Sequence, residues 1–129
     1  MAGRRQRLKG PGILEHRNPI PAAVRVGKLV CSSAIGGDDP GTHEIPEDKT
    51  EEIGNAFSCV RRIMEEAGGT PDDIAKMTVY LRDKSDRSLV NPFWLEMFPD
   101  EDDRPARHTV QADLPPGRSI QLEIMAMLE

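Results

Sequence analysis

The chain has 129 residues, of which 37% are hydrophobic and 30% charged, and a formal net charge of −5. That is the size of one domain and the balance of a globular protein, with apolar runs far too short for a spanning helix. Three Phe, one Trp and one Tyr are too few for a base-stacking platform. The acidic balance argues against a grip on nucleic acid, so neither nucleic acid nor membrane is an expected partner.

The charge is unevenly spread. Arg4, Arg5, Arg7 and Lys9 form a basic head with no acid before Glu15, leaving thirteen basic against twenty-two acidic groups in the rest of the chain. The head lacks the apolar stretch of a secretory signal. It reads as a solvated, partly flexible arm over residues 1–17, ahead of a single domain over residues 18–129. Cys31 and Cys59 match no zinc spacing. Two thiols behind no signal peptide read as reduced, small hydrophobes, which points to a reducing cytoplasm.

Residues 23–33 read as two short strands about Gly27-Lys28, with Val24 and Val26 alternating before Leu29-Val30-Cys31. Residues 34–47 hold three Gly and two Pro and form a loop. It is no phosphate cradle, because it lacks GxGxxG and carries Asp38 and Asp39. A helix follows from about Asp48 to Ala67, with Ile53, Ala56, Phe57, Val60, Ile63, Met64 and Ala67 on one stripe. Asp48 or Thr50 caps its start and Gly68-Gly69 ends it. Thr70-Pro71-Asp72-Asp73 turns the chain into a strand over Ile74–Leu81, where Met77, Val79 and Leu81 alternate with Lys76, Thr78 and Tyr80.

A second helix spans about Arg87 to Phe98. Pro92 is acceptable only near its first turn, which sets the start close to Ser88. A strand over Ala106–Ala112 and a last strand over Ser119–Leu128 complete a ββ-α-β-α-ββ order. The fold class is therefore α+β, with two helices on one face of a mixed sheet. On the last strand Ile120, Leu122, Ile124, Ala126 and Leu128 share one face. The other face begins with Gln121 and Glu123 and ends in Met125 and Met127. An apolar end on an uncovered face predicts packing against another copy.

Arg107 opens a strand directly after a Pro-Ala turn, where a rigid scaffold aims its guanidinium at a carboxylate. Alternation offers Arg107, Thr109, Gln121 and Glu123 as the polar groups of the outward faces. His108 turns the opposite way and reads as a core or sheet-covering histidine. His16 and His43 have no partner at metal spacing, and Asp100-Glu101-Asp102-Asp103 lacks the pattern of a calcium loop. No metal ligand set is expected. By spacing alone a strand-end arginine is more often a surface charge than a ligand site.

Five stretches carry a resemblance: VRVGKLVCSSA, EEAGGTPDDIAKMTVYLRD, VNPFWLEMF, RPARHTV and LPPGRSIQLEIMA. In this order and spacing, over about Asn18 to Leu128, the chain resembles the Rid/YjgF family, the reactive-intermediate deaminases also called endoribonuclease L-PSP-like. The resemblance implies a chorismate-mutase-like fold and a homotrimer whose sheets line a central barrel, with three clefts between subunits. It implies hydrolysis of 2-imino and 2-enamino acids to 2-keto acids and ammonia, without metal or organic cofactor.

The family arginine that holds the substrate carboxylate aligns with Arg107. Ser33 aligns with a cleft position, and Thr109 falls where many members carry Cys. Two positions depart. The catalytic glutamate of the last strand aligns with Gln121, the next glutamate with Glu123, and the cleft tyrosine with Ile20. A glutamine orients water but takes no proton from it, and losing a general base typically costs about 10²- to 10⁴-fold. Three readings stay open: an imine deaminase, a trimer acting on or binding a different small carboxylate such as a catabolic enamine, and a non-catalytic ligand-binding or interaction module.

Overall fold

A computed structural model describes residues 3–129. The first two residues of the expected arm lie outside the described residues. The strands are β1 (Arg5–Leu8), β2 (Ala23–Val26), β3 (Leu29–Ser32), β4 (Ile74–Leu81), β5 (Ala106–Gln111) and β6 (Ile120–Met127). They form one sheet in the order β1-β2-β3-β6-β4-β5. The β4–β5 pair is parallel and the other pairs are antiparallel. Two helices, α1 (Lys49–Ala67) and α2 (Arg87–Met97), complete the α+β architecture.

The local signals act as their chemistry requires. The Asp48 carboxylate accepts the Thr50 amide and opens α1, while Gly68 closes it in the left-handed region. Thr70 and Asp73 form a reciprocal capping box on a short 3₁₀ turn that feeds β4. Ile53, Val60, Ile63 and Met64 of α1 pack with Met77, Val79 and Leu81 of β4 and Ile120, Leu122 and Ile124 of β6 in one buried cluster. Each such side chain contributes about 1.5–3 kcal/mol relative to exposure.

Two features differ from the sequence expectation. Residues 5–8 of the basic head are a strand, not a frayed arm: they pair antiparallel with β2. Leu8 anchors them in the core, fully buried. Alternation explains this, since Leu8 and Gln6 share a face while Arg5 and Arg7 take the other. A signal of only one apolar residue in four is invisible beneath the charges. Helix α2 begins at Arg87, as its apolar pattern sets it, directly after a 3₁₀ turn over Lys84–Asp86, but Pro92 stands in its second turn and not its first. The 3₁₀ turn is capped by Asp83 on the Ser85 amide and leads directly into the helix.

The helices cover one face of the sheet. The other carries Tyr80 of β4 opposite Gln121, Thr78 opposite Glu123, and Leu29 and Cys31 of β3 opposite Met127 and Met125. Met125 and Met127 are 50% and 55% exposed, among the most exposed large apolar side chains described.

Candidate functional site

Arg107 is the second residue of β5 and pairs in register with Met77, which is buried in the core. Its side chain therefore lies on the helix face, against α2. Its Nη1 donates to Asn91 Oδ1 at 2.9 Å and its Nε to Thr109 Oγ at 3.2 Å. The guanidinium carbon stands 5.2 Å from the centre of the Trp94 ring, and Trp94 packs edge-on against Phe98 at 4.8 Å. Asn91 and Trp94, three residues apart, share one face of α2 and so hold the guanidinium from one side. Burial, then the neighbouring Arg87 charge, lowers Arg107 from its ordinary value, yet it remains a cation near neutral pH. Among the described residues no carboxylate pairs with it.

Gln121 and Glu123 lie on the opposite face. The expectation that Arg107 and Thr109 lie on an outward strand face, as Gln121 and Glu123 do, is thus corrected. Alternation sets the phase within a strand, but register sets it between strands. Met77 pairs with Arg107 and Val79 with Thr109, whereas Thr78 pairs with Glu123 and Tyr80 with Gln121. His108 pairs with Thr78 and shares the face of Glu123. It is exposed, so of the two expected readings the core one is corrected and His108 lies on the sheet's open face. The Tyr80 hydroxyl donates to Glu123 Oε1 at 2.6 Å. That hydrogen bond, then burial, raises the Tyr80 phenol above its ordinary value.

Gln121 also borders an open groove of about 1050 Å³, walled by residues 14–18, 34–38, 43–47 and 115–118. Arg118 spans it with a bidentate pair to Asp38, the Nη2–Oδ2 bond being 3.0 Å. Burial pushes the Asp38 carboxyl up, but the hydrogen bonds and charge of Arg118 outweigh it and hold it below the usual value. The Gly36-Gly37 pair makes this wall possible. A Cβ on Gly36 would sit 2.0 Å from Arg118 Nη1, and one on Gly37 would sit 1.9 Å from the Glu52 carbonyl oxygen. Glu52, itself buried, accepts the Ser119 amide at 2.8 Å and fixes the approach to β6.

Of the other residues expected at the site, Ser33 donates its hydroxyl to the Pro21 carbonyl at 2.8 Å and so ties down the segment before β2. Ile20 is 41% exposed beside groove residue Asn18. One copy of the chain therefore brings Arg107 and Thr109 together on one face, and Gln121 with Glu123 on the other. Sequence reasoning missed three partners: Asn91, Trp94 and Tyr80. The helical spacing of Asn91 and Trp94 was the available signal, as was the alternation that sets Tyr80 apart from Met77 and Val79.

Among the described residues no three His, Cys, Asp or Glu side chains group as a metal ion requires, and no helix is long and apolar enough to cross a membrane. Residues 14–128 match the model of the family described as Endoribonuclease L-PSP. The chain is 31% identical over 111 residues to the 2-iminobutanoate/2-iminopropanoate deaminase of Escherichia coli strain K12, covering 84% of this chain and 87% of that one. RidA from an Antarctic Psychrobacter superposes with a TM-score of 0.87 at 29% identity, over 95% of this chain and 99% of that one. TdcF of E. coli, crystallised with bound serine, superposes with a TM-score of 0.88 at 26% identity, over 96% and 99%. With its mixed sheet, its two helices and a family match over nearly its whole length, the chain belongs to the Rid/YjgF family, whose model is described as Endoribonuclease L-PSP.

Proposed function

We propose that the chain hydrolyses small 2-imino and 2-enamino acids to 2-keto acids and ammonia, at clefts between copies of itself in a homotrimer. One observation carries the reading: Arg107 is a half-buried guanidinium held by neutral partners, with no carboxylate among the described residues to neutralise it. Such a group is built to receive an anion in bidentate fashion. A relative named as an iminobutanoate deaminase and a structural neighbour holding serine support a small carboxylate as the ligand.

In this reading Arg107 of one copy binds the substrate carboxylate, with Thr109 beside it. Gln121 of the neighbouring copy orients the hydrolytic water against the imine carbon, helped by Glu123. Ser33 and Ile20 shape the wall on the Gln121 side. The opposite faces of Arg107 and Gln121 support a site shared between two copies, and the exposed Met125 and Met127 supply apolar surface for the second. Imine hydrolysis is intrinsically facile, so positioning by Arg107 carries much of the rate. No cofactor enters the scheme, and the thiols Cys31 and Cys59 suit a reducing cytoplasm.

Gln121 itself favours a second reading, in which the same cleft binds or transforms a different small carboxylate or serves as a non-catalytic module. The test is release of ammonia and 2-ketobutyrate from 2-iminobutyrate generated in situ, with wild type, Arg107→Ala and Gln121→Glu compared. Turnover by wild type that collapses in Arg107→Ala supports deamination. An inert wild type with an active Gln121→Glu establishes the second reading instead.

A further inference from the structure

Gln121 cannot take a proton from water, so the deaminase reading leaves the attacking water without a base in contact. The open face offers a route. Tyr80 stands directly opposite Gln121 in the β4–β6 register, and its hydroxyl reaches diagonally to Glu123 Oε1 at 2.6 Å. Direct and diagonal cross-strand neighbours lie within reach of an aromatic side chain, so one phenol touches the strand position of the water-orienting amide and contacts the carboxylate. All three side chains are half-buried, where such a bond is stronger than in bulk water.

Resting on the deaminase reading, we propose that Tyr80 and Glu123 form a proton relay that replaces the missing base, with Tyr80 as a further catalytic residue. The bond aims the phenol's proton at Glu123 Oε1, and Glu123 keeps the resting phenol in its neutral, donating form. The water oxygen bonds to the carbon of the protonated imine, and the C=N π pair moves to nitrogen. One water proton passes to the Tyr80 oxygen while the phenol's own proton passes to Glu123. This yields a neutral carbinolamine and a protonated Glu123. The proton then returns through Tyr80 to the amine, the C–N bond breaks with its electron pair leaving on ammonia, and the remaining hydroxyl proton goes to bulk water as the ketone forms.

The test measures keto-acid release from 2-iminobutyrate by wild type, Tyr80→Phe, Glu123→Gln and the double variant. Tyr80→Phe keeps the ring and removes only the relay atom. It lowers kcat about 10- to 100-fold with KM within about twofold, because general acid–base transfer acts in the transition state rather than in binding. Glu123→Gln gives a similar loss, and the double variant is about as slow as either single one, since the residues act as a unit. A Tyr80→Phe rate within twofold of wild type, or losses that multiply in the double variant, overturns the relay while leaving the deaminase reading intact. An inert wild type overturns both. Far-UV circular dichroism checks the fold, and if Tyr80→Phe does not fold, a Glu123→Gln rate within twofold of wild type overturns the relay.

Discussion

The Arg107 guanidinium stands 5.2 Å from the ring centre of Trp94, and Trp94 is the single tryptophan of the chain. The proposed anion-binding group thus rests on the protein's dominant intrinsic fluorophore. A carboxylate drawn to Arg107 weakens the charge's hold on the indole π face, so 2-ketobutyrate is expected to change Trp94 emission in a saturable way. Arg107→Ala abolishes that response. Asn91→Ala, which removes the 2.9 Å bond to Nη1, weakens binding about two- to tenfold, the effect of one hydrogen bond. A titration that runs equally in Arg107→Ala places the ligand elsewhere.

The division of Arg107 and Gln121 between two faces of the sheet makes a prediction about mixtures. If each cleft draws Arg107 from one copy and Gln121 from the next, Arg107→Ala and Gln121→Ala are each inactive as pure assemblies. Co-refolded in equal amounts, they restore both groups in about a quarter of the clefts, by random pairing of copies in a cyclic assembly. Recovery near one quarter of wild-type turnover is the expected result. A mixture no more active than its components shows that one copy supplies the whole site.

Much of the fold was legible in the sequence, and for physical reasons. The stripe from Ile53 to Ala67 and the alternation from Met77 to Leu81 are strong periodic signals with caps at their ends, and both elements stand where the pattern sets them. The site was legible only residue by residue. Arg107, Gln121 and Glu123 could be picked out, but which of them face each other depends on the pairing of β4 with β5 and β6, a long-range register no local pattern encodes. Asn91 looked like one more polar residue of an amphipathic helix until Arg107 was placed beside it. Strand β1 was hidden for another reason: its pairing with β2 is tertiary, and Arg5 and Arg7 mask the one buried side chain, Leu8.

Leu8 tests how far the domain depends on that strand. It is fully buried and ties β1 to the core through its register with Ala23. Leu8→Ala is expected to cost about 2–5 kcal/mol, the range for a deleted buried leucine. Arg5→Ala and Arg7→Ala, on exposed positions of the same strand, stay within about 0.5 kcal/mol. Urea unfolding of the three variants distinguishes a structural strand from a dispensable arm. A neutral Leu8→Ala would show that β1 contributes nothing to stability.

The Asp38–Arg118 pair is expected to make stability depend on pH in a defined direction. Its side chains are 18% and 21% exposed, against 47% and 52% for Glu15 and Arg7, so solvent screens it far less than an ordinary surface pair. The folded Asp38 carboxyl ionises below its ordinary value near 3.8. Its charge therefore favours the folded state above that value, and the contribution is lost as pH falls through the lower folded value. Arg118→Met removes the partner and leaves Asp38 partly desolvated. The variant should be about 1–3 kcal/mol less stable at pH 7, and the difference should shrink toward pH 3 and below as Asp38 protonates in both proteins. Glu15→Gln, at the exposed pair, should cost under about 1 kcal/mol at either pH. Urea unfolding curves at pH 7 and pH 3 decide: a gap between wild type and Arg118→Met that stays constant over this range means that packing around the long side chain, and not its charge, holds the groove wall.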